Sequence, residues 1–83
     1  MWYFVYMARC VDGTFYCGIT NDVAARFVAH NAGKGARYTR ARLPVALAWK
    51  KRVSGKSAAL KLEYSLKQLT RAEKQKIISK KPT

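Results

Sequence analysis

Acidic residues are the scarcest chemical class in this chain. Its 83 residues include 4 Asp and Glu against 17 Lys and Arg, which gives a formal net charge of +13 at pH 7. A small domain this basic is expected to bind a polyanion. DNA and RNA are the favoured partners, and binding to RNA without further chemistry stays open. An anionic membrane surface fits less well, because the aromatic residues follow strand-like patterns and not one amphipathic helix.

Metal-binding side chains and long apolar runs are also few. With 2 cysteines and 1 histidine, the chain is too poor in ligands for a structural zinc site. It has no run of about 18 apolar residues that could cross a bilayer. The N-terminal Met1-Trp2-Tyr3-Phe4 lacks the basic segment of a signal peptide. These absences predict a cytoplasmic protein without a membrane partner, and the length predicts one small domain over residues 1–83.

The strongest local pattern is a pair of β-rich runs on either side of Asp12-Gly13, which predicts a β-hairpin. A two-residue turn would send Tyr6 and Tyr16 to opposite faces. A three-residue loop with Gly13 in the left-handed conformation would place both on one face. We favour the three-residue loop because it gathers the better apolar set on the other face. That set comprises Val5, Met7, Phe15, Cys17 and Ile19.

The three-residue loop leaves open space beside the two tyrosines. Tyr6 then opposes Gly18, and the two phenols are diagonal neighbours about 7 Å apart at the backbone. Ordinary strand tyrosines would give the same pattern, so that interpretation stays open. In the same register Cys10 and Cys17 lie on opposite faces and stay reduced.

The remaining periodicity predicts an α+β fold of order β-β-α-β-α-α, a small three-stranded antiparallel sheet flanked by helices. Strands are expected over residues 2–10, 15–20 and 45–53. Helices are expected from a cap at Asn21 or Asp22 to Gly33, over residues 57–69, and from Thr70 to about residue 80.

Each later element has an expected buried face. The first helix should bury an arc of Val23, Phe27 and Asn31, with Ala24 and Val28 beside it and Arg26 and His30 on its flank. The third strand should bury one face made of Val45, Leu47, Trp49 and Val53. The last two helices should dock through Ala58, Ala59, Leu62, Leu66, Leu69, Ile77 and Ile78.

Residues 33–42 are interpreted as a loop that holds cations, two glycines and no acid. A solvated connection is one explanation. The functional explanation is a loop that binds the phosphates of a nucleic acid. Its glycines permit close approach to the nucleic-acid backbone, and its tyrosine can stack on a base. The candidate nucleic-acid-binding residues are Lys34, Arg37, Tyr38, Arg40 and Arg42.

Three of the four acids have an expected local structural role. Asp12 lies in the hairpin turn, Asp22 at a helix N-terminus, and Glu73 completes a capping box with Thr70. Glu63 lies in the middle of a helix, at the edge of its apolar stripe, and has no such role. It is either paired with a nearby lysine or, in so basic a chain, a ligand of a hard divalent cation.

Together these residues resemble the GIY-YIG nuclease superfamily, and most of all its small single-domain members. The two motifs stand here as Phe4-Val5-Tyr6 and Tyr16-Cys17-Gly18, so a phenylalanine replaces the first glycine and a cysteine replaces the isoleucine of the family name. Arg26, His30 and Glu63 then follow in family order and at family-like spacing. The resemblance covers about residues 2–69.

The resemblance implies a metal-dependent endonuclease that hydrolyses phosphodiester bonds in DNA, directed by structure or backbone, in DNA repair or recombination. It implies Mg²⁺ or Mn²⁺ held by Glu63, and Arg26 gripping the scissile phosphate. The implied roles of the other residues are Tyr6 as general base or as the group that positions the attacking water, Tyr16 orienting water or phosphate, and His30 bonding the phosphate or Tyr6.

A phenol has an ordinary pKa near 10, so as a base near neutral pH it needs nearby positive charge. The alternative function is a basic DNA- or RNA-binding module that keeps this fold without useful turnover.

Overall fold

The fold is built on three antiparallel strands in the order β2-β1-β3. The computed structural model describes residues 1–80. Its elements are β1 (Trp2–Arg9), β2 (Phe15–Thr20), α1 (Val23–Asn31), α2 (Arg37–Arg40), β3 (Ala46–Ser54), α3 (Lys56–Lys67) and α4 (Arg71–Ser79). The predicted α+β class and the order of the main elements are confirmed, and α2 is an addition to them.

The hairpin between β1 and β2 has the predicted three-residue loop. The amide of Cys10 donates to the carbonyl of Thr14 over 2.8 Å, and Gly13 has a φ of +83°. That left-handed conformation favours glycine, because other residues would place a Cβ against the backbone. The predicted register is confirmed by the Cα pairs Tyr6 with Gly18 and Ala8 with Tyr16.

Each face of the sheet has its own buried cluster. Under α3 and α4 the cluster consists of Val5, Met7, Cys17, Ala59 and Leu66. On the face of the tyrosines it consists of Tyr6, Ala8, Cys10 and Val45. Cys10 and Cys17 therefore face opposite sides, as predicted, and both are free thiols.

The prediction that β3 buries one continuous face is wrong. Trp49 pairs with Met7, but Leu47 pairs with Ala8, so one extra residue is inserted between these pairs. A bulge of one residue sends the side chains before and after it to opposite faces. Leu47 is consequently 42% exposed. Trp49 and Val53 pack on the α3 cluster, whereas Val45 packs with the tyrosine cluster.

The buried arc predicted for α1 is confirmed at Phe27, which packs against the tyrosine cluster, but it is wrong at Ala24 and Val28, because the helix is rotated. Val28 is 71% exposed, whereas His30 is completely buried. Ala24 is exposed, and Asn31 uses its side-chain amide to pair with both backbone groups of Val45. His30 is expected from the sequence on the flank of the arc, whereas it lies inside the fold. Polar partners inside the fold make its burial favourable.

The ends of α1 are as predicted. Asp22 caps the helix by accepting from the amide of Ala25 over 3.0 Å. Gly33, with a φ of +77°, follows the C-cap Ala32. Residues 33–42, however, are not entirely a loop, because Arg37–Arg40 form one helical turn. Thr39 at its centre is buried.

Helices α3 and α4 cover the other face of the sheet. The predicted stripe is confirmed at Ala59, Leu62 and Leu66 of α3 and at Leu69 just after it, whereas Ala58 is exposed. The capping box of α4 is present: Thr70 accepts from the amide of Glu73, and Glu73 accepts from the amide of Thr70. Ile77 and Ile78 dock as expected. No helix within residues 1–80 is long and apolar enough to cross a membrane.

Candidate active site

Tyr6 lies at the centre of the site, in the middle of β1, and its side chain is fully buried. Its ring passes over Gly18, the residue directly opposite on β2. A Cβ at Gly18 would lie 2.6 Å from the Tyr6 hydroxyl oxygen and 3.1 Å from the ring of Tyr16. Only glycine leaves room for this path, which gives the glycine of the second motif a steric function.

The hydroxyl of Tyr6 has two polar neighbours, both from α1. Its oxygen lies 2.8 Å from Nε2 of His30, and Nε of Arg26 donates to it over 3.4 Å. The other ring nitrogen of His30, Nδ1, lies 3.0 Å from Oγ1 of Thr39. Since Arg26 and His30 are four residues apart on one helix, the rotation of α1 directs both at Tyr6.

Tyr16 lies on the solvent side of this group and is only partly buried. Its ring centroid is 6.4 Å from that of Tyr6 and 5.7 Å from that of His30. On its other side it stacks on Tyr38, with 6.1 Å between centroids and 23° between planes. The expected proximity of the two motif tyrosines is therefore present, and α2 extends the aromatic group outward.

Burial raises the pKa of Tyr6 above its ordinary value. The hydrogen bond and positive charge of Arg26 act in the opposite direction, and Tyr16 and Glu63 add smaller increases. The expected condition for a tyrosine base, a net lowering of the pKa by positive charge, is thus not met by Arg26 alone. Burial, together with the charge of Arg26, lowers the pKa of His30, so the imidazole is neutral at pH 7.

Glu63 lies on α3, which packs against the opposite face of the sheet. Its side chain is 16% exposed and forms an ion pair with Lys67, one turn later, over 3.4 Å. The position is nevertheless close enough to the site for its charge to raise the pKa of Tyr6 and of Cys17. The ion-pair interpretation is therefore observed, and the ligand interpretation stays a prediction.

A single carboxylate, that of Glu63, is compatible with a hard cation that takes most of its ligands from water and substrate. Residues 1–80 contain no cluster of three or more His, Cys, Asp or Glu side chains. Mg²⁺ commonly uses one or two carboxylates, with water and phosphate oxygens filling its octahedron. A largely buried carboxylate such as Glu63 fits that requirement.

The candidate nucleic-acid residues are mostly exposed, but two of them make internal contacts. Arg42 pairs with Asp12 over 3.1 Å, donates to the carbonyl of Tyr38, and lies with its guanidinium carbon 3.9 Å from the centroid of the Tyr38 ring. These contacts connect α2 to the hairpin turn. Lys34, Arg37 and Arg40 are exposed and make no ion pair within residues 1–80.

Sequence reasoning missed two residues that hold His30. Thr39 contacts Nδ1, and Gly35 passes so close that a Cβ there would clash with the imidazole. The sequence feature that could have indicated this contact is the presence of Gly35 and Thr39 within residues 33–42. That segment was interpreted as a loop that binds phosphates. The close approach that Gly35 permits is to a side chain of the same chain.

The family model described as the GIY-YIG catalytic domain matches residues 2–77. This chain belongs to the GIY-YIG family. Its sequence is 46% identical over 78 residues to a UPF0213 protein of Vibrio cholerae, covering 93% of this chain and 77% of that protein. It is 51% identical over 71 residues to a UPF0213 protein of Halobacterium salinarum, covering 86% and 92%.

Two solution NMR structures share the fold of this GIY-YIG domain. The UPF0213 protein of Bacillus halodurans superposes with a TM-score of 0.61 at 40% identity, over 95% of this chain and 84% of that one. A protein from E. faecalis superposes with a TM-score of 0.63 at 34% identity, over 95% and 85%.

Proposed function

We propose that this GIY-YIG domain is an endonuclease that hydrolyses phosphodiester bonds in DNA with the help of one divalent metal ion. The observation that supports the proposal most strongly is the Tyr6 hydroxyl held between Nε2 of His30 and Nε of Arg26. A polar group so completely buried, with a glycine opposite to make room for it, is unusual for a tyrosine that only fills a sheet.

The charges that phosphodiester hydrolysis requires can be supplied by Arg26 and by a metal ion bound to Glu63. Its transition state gathers negative charge on the nonbridging and leaving oxygens, and preorganised cations stabilise that charge. Arg26 supplies one such cation on the Tyr6 side. Glu63 is the residue that would hold Mg²⁺ or Mn²⁺, and the bound ion would supply Lewis-acid stabilisation of the phosphate oxygens. Tyr6 positions the attacking water, and Tyr16 orients water or phosphate at the open side.

The cationic segment around α2 favours recognition of the polynucleotide backbone. Lys34, Arg37 and Arg40 are exposed in the same segment as Tyr38, whose ring stacks on that of Tyr16. Contacts with phosphates carry no sequence information directly. We therefore infer a nuclease directed by structure or backbone, with a role in DNA repair or recombination.

The second candidate is a binding module of the same fold without turnover. The Lys67–Glu63 ion pair favours it, because a carboxylate already paired with a lysine has less charge to offer a metal. The two candidates share their partner, DNA or RNA, and differ in whether a bond is broken.

Incubation of the purified chain with nicked, flapped, branched and plain duplex DNA, and with RNA, separates the two candidates. Each substrate is tested with Mg²⁺, with Mn²⁺ and with EDTA. The nuclease proposal predicts cleavage that depends on the metal ion and is strongest on one class of DNA structure. Tight binding of all substrates with no cleavage under any condition would contradict it in favour of the binding module.

A further inference from the structure

A series of hydrogen bonds runs from Ala36 through Thr39 and His30 to Tyr6. The contacts of Thr39 determine which atom donates in each of them. Thr39 and His30 are both fully buried, so their polar atoms depend on protein partners. Oγ1 of Thr39 lies 2.9 Å from the carbonyl oxygen of Ala36 and 3.0 Å from Nδ1 of His30. A threonine hydroxyl has one hydrogen to give and two lone pairs.

The short contact with Ala36 shows where that hydrogen lies. A carbonyl only accepts, and two oxygens 2.9 Å apart with no hydrogen between them would repel. Thr39 therefore donates to Ala36 and presents a lone pair to His30. Nδ1 of His30 must then carry a hydrogen, and in the neutral imidazole Nε2 is bare.

The other end of the series favours the same arrangement. Arg26 has no acceptor, so it donates to the Tyr6 oxygen over 3.4 Å. The remaining partner of that hydroxyl within residues 1–80 is Nε2 of His30, at 2.8 Å. If Nε2 carried the hydrogen, the hydroxyl of the fully buried Tyr6 would accept twice and its own hydrogen would have no acceptor.

We propose that Thr39 is a positioning residue that holds His30 in the Nδ1–H tautomer, so that Nε2 receives the hydroxyl proton of Tyr6 as water attacks the phosphate. The catalytic half of this proposal rests on the proposed nuclease function. The tautomer half does not.

The proton transfer is balanced without an ionised tyrosine. The attacking water gives a proton to the Tyr6 oxygen while the original Tyr6 proton moves to Nε2 of His30. The water oxygen uses its electron pair to form the new bond to phosphorus. The bond from phosphorus to the leaving oxygen breaks, and that oxygen keeps the pair and is protonated by solvent. Tyr6 is neutral before and after the step, whereas His30 becomes an imidazolium and regains its neutral form by returning the proton through Tyr6 to solvent.

The surroundings of His30 keep it ready to accept. The titratable and charged groups that face it are Tyr6 from β1, Tyr16 from β2 and Arg26 from α1 itself. Burial and the charge of Arg26 both disfavour the imidazolium, so the resting imidazole is neutral with a bare Nε2, and the imidazolium formed in the step is short-lived. Gly35 lies beside Nδ1 and Cε1 of the ring, where a Cβ would clash with it.

Nitrogen NMR of the metal-free protein tests the tautomer directly. The chain has 1 histidine, so the imidazole signals of the ¹⁵N-labelled protein assign themselves. Long-range ¹H–¹⁵N correlation near pH 7 should show a protonated Nδ1 and a bare Nε2. A protonated Nε2 in the wild-type protein would overturn the proposal whatever the variants do.

Substitution of Thr39 tests its positioning role. Thr39→Val removes the acceptor for Nδ1 and should convert the single tautomer into a mixture, whereas Thr39→Ser should keep the wild-type pattern. With a cleavable substrate, kcat of Thr39→Val should fall by about 10²-fold or more, the scale for general acid–base assistance. KM should change little, and Thr39→Ser should restore most of the rate.

A matched control is Ser65→Ala, which removes a hydroxyl that donates to a carbonyl within α3 and lies away from His30. It should leave the imidazole pattern and kcat unchanged. A wild-type tautomer pattern and full kcat in Thr39→Val would overturn the positioning role. If the wild-type chain cleaves nothing, the nuclease function fails, and the NMR pattern still decides the assignment of Thr39.

Discussion

The unusual residue at the site is Tyr6, a phenol with a raised pKa in a position that resembles that of a general base. Burial accounts for the raised pKa, and Arg26 only partly offsets it. At the scale of single residues, the site is therefore built for a neutral tyrosine with a defined hydrogen-bond direction. That conclusion needs the observed contacts with His30 and Thr39, and the sequence contains no separate signal for it.

Replacing Tyr6 with phenylalanine isolates the hydroxyl from the ring. Tyr6→Phe should lower cleavage by at least about 10²-fold. It should also lower the free energy of unfolding by about 1–3 kcal/mol, because Nε2 of the buried His30 loses its partner. Denaturant unfolding and cleavage of the preferred substrate check both. The control Tyr64→Phe alters a phenol that is 68% exposed; equal effects in the two variants would contradict a special role for Tyr6.

The pKa of His30 predicts how stability depends on pH. The folded pKa is lowered from the ordinary 6.5, so the unfolded chain takes up the proton first as the pH falls. The free energy of unfolding should therefore decrease as the pH falls from about 7 to about 5, since the unfolded state binds more protons in that range. Asp12 and Glu73 have lowered pKa values as well, and their contribution is lost only at more acidic pH.

Denaturant unfolding at several pH values between about 5 and 7 measures that slope. His30→Gln removes the titrating group and should flatten the slope, although its absolute stability will be lower. The same slope in wild type and His30→Gln would show that another group is responsible.

At the scale of elements, the turns and helix ends that depend on particular local residues were predictable from the sequence. The features that depend on tertiary contacts, the bulge of β3 and the rotation of α1, were not. Asp12-Gly13 defines the hairpin loop, and Thr70 with Glu73 defines the start of α4. The bulge of β3 has no comparable marker, because residues 45–53 contain no glycine or proline. The rotation of α1 depends on a partner for His30 that only the folded β1 supplies.

The segment with α2 makes a prediction of its own. Lys34, Arg37 and Arg40 are exposed cations beside the site, and each phosphate contact adds about 0.9 to the log–log salt dependence of duplex binding. Replacing all three with alanine should flatten that slope by about 2 to 3 units. Titrations of a duplex at several salt concentrations in EDTA measure it.

The matched control for that triple variant changes the same charge on the other face of the sheet. Lys56, Lys61 and Lys76 lie exposed on α3 and α4. Their replacement with alanine should change the salt dependence of duplex binding only a little. A larger loss in this control than in the α2 variant would place the DNA on the α3 side.

At the scale of the whole molecule, the four acids are all engaged locally. Asp22 and Glu73 cap helices, and Asp12 and Glu63 form the two ion pairs observed within residues 1–80. The other cations of that range have no carboxylate partner, so the net charge of +13 remains an excess at the surface. Such a surface would attract a polyanion, whereas the proposed hydrolysis would depend on Glu63.

The most direct test of the nuclease account is therefore Glu63→Gln, compared with Lys67→Gln. Both variants break the ion pair between these residues, but only Glu63→Gln removes the carboxylate. The account predicts that Glu63→Gln lowers metal-dependent cleavage by at least about 10²-fold, with DNA affinity unchanged or slightly higher and a similar thermal midpoint. Lys67→Gln should cleave normally. If Glu63 serves only the ion pair, both variants should lose the same small stability, roughly 0.2–1 kcal/mol, and full cleavage by Glu63→Gln would contradict the account.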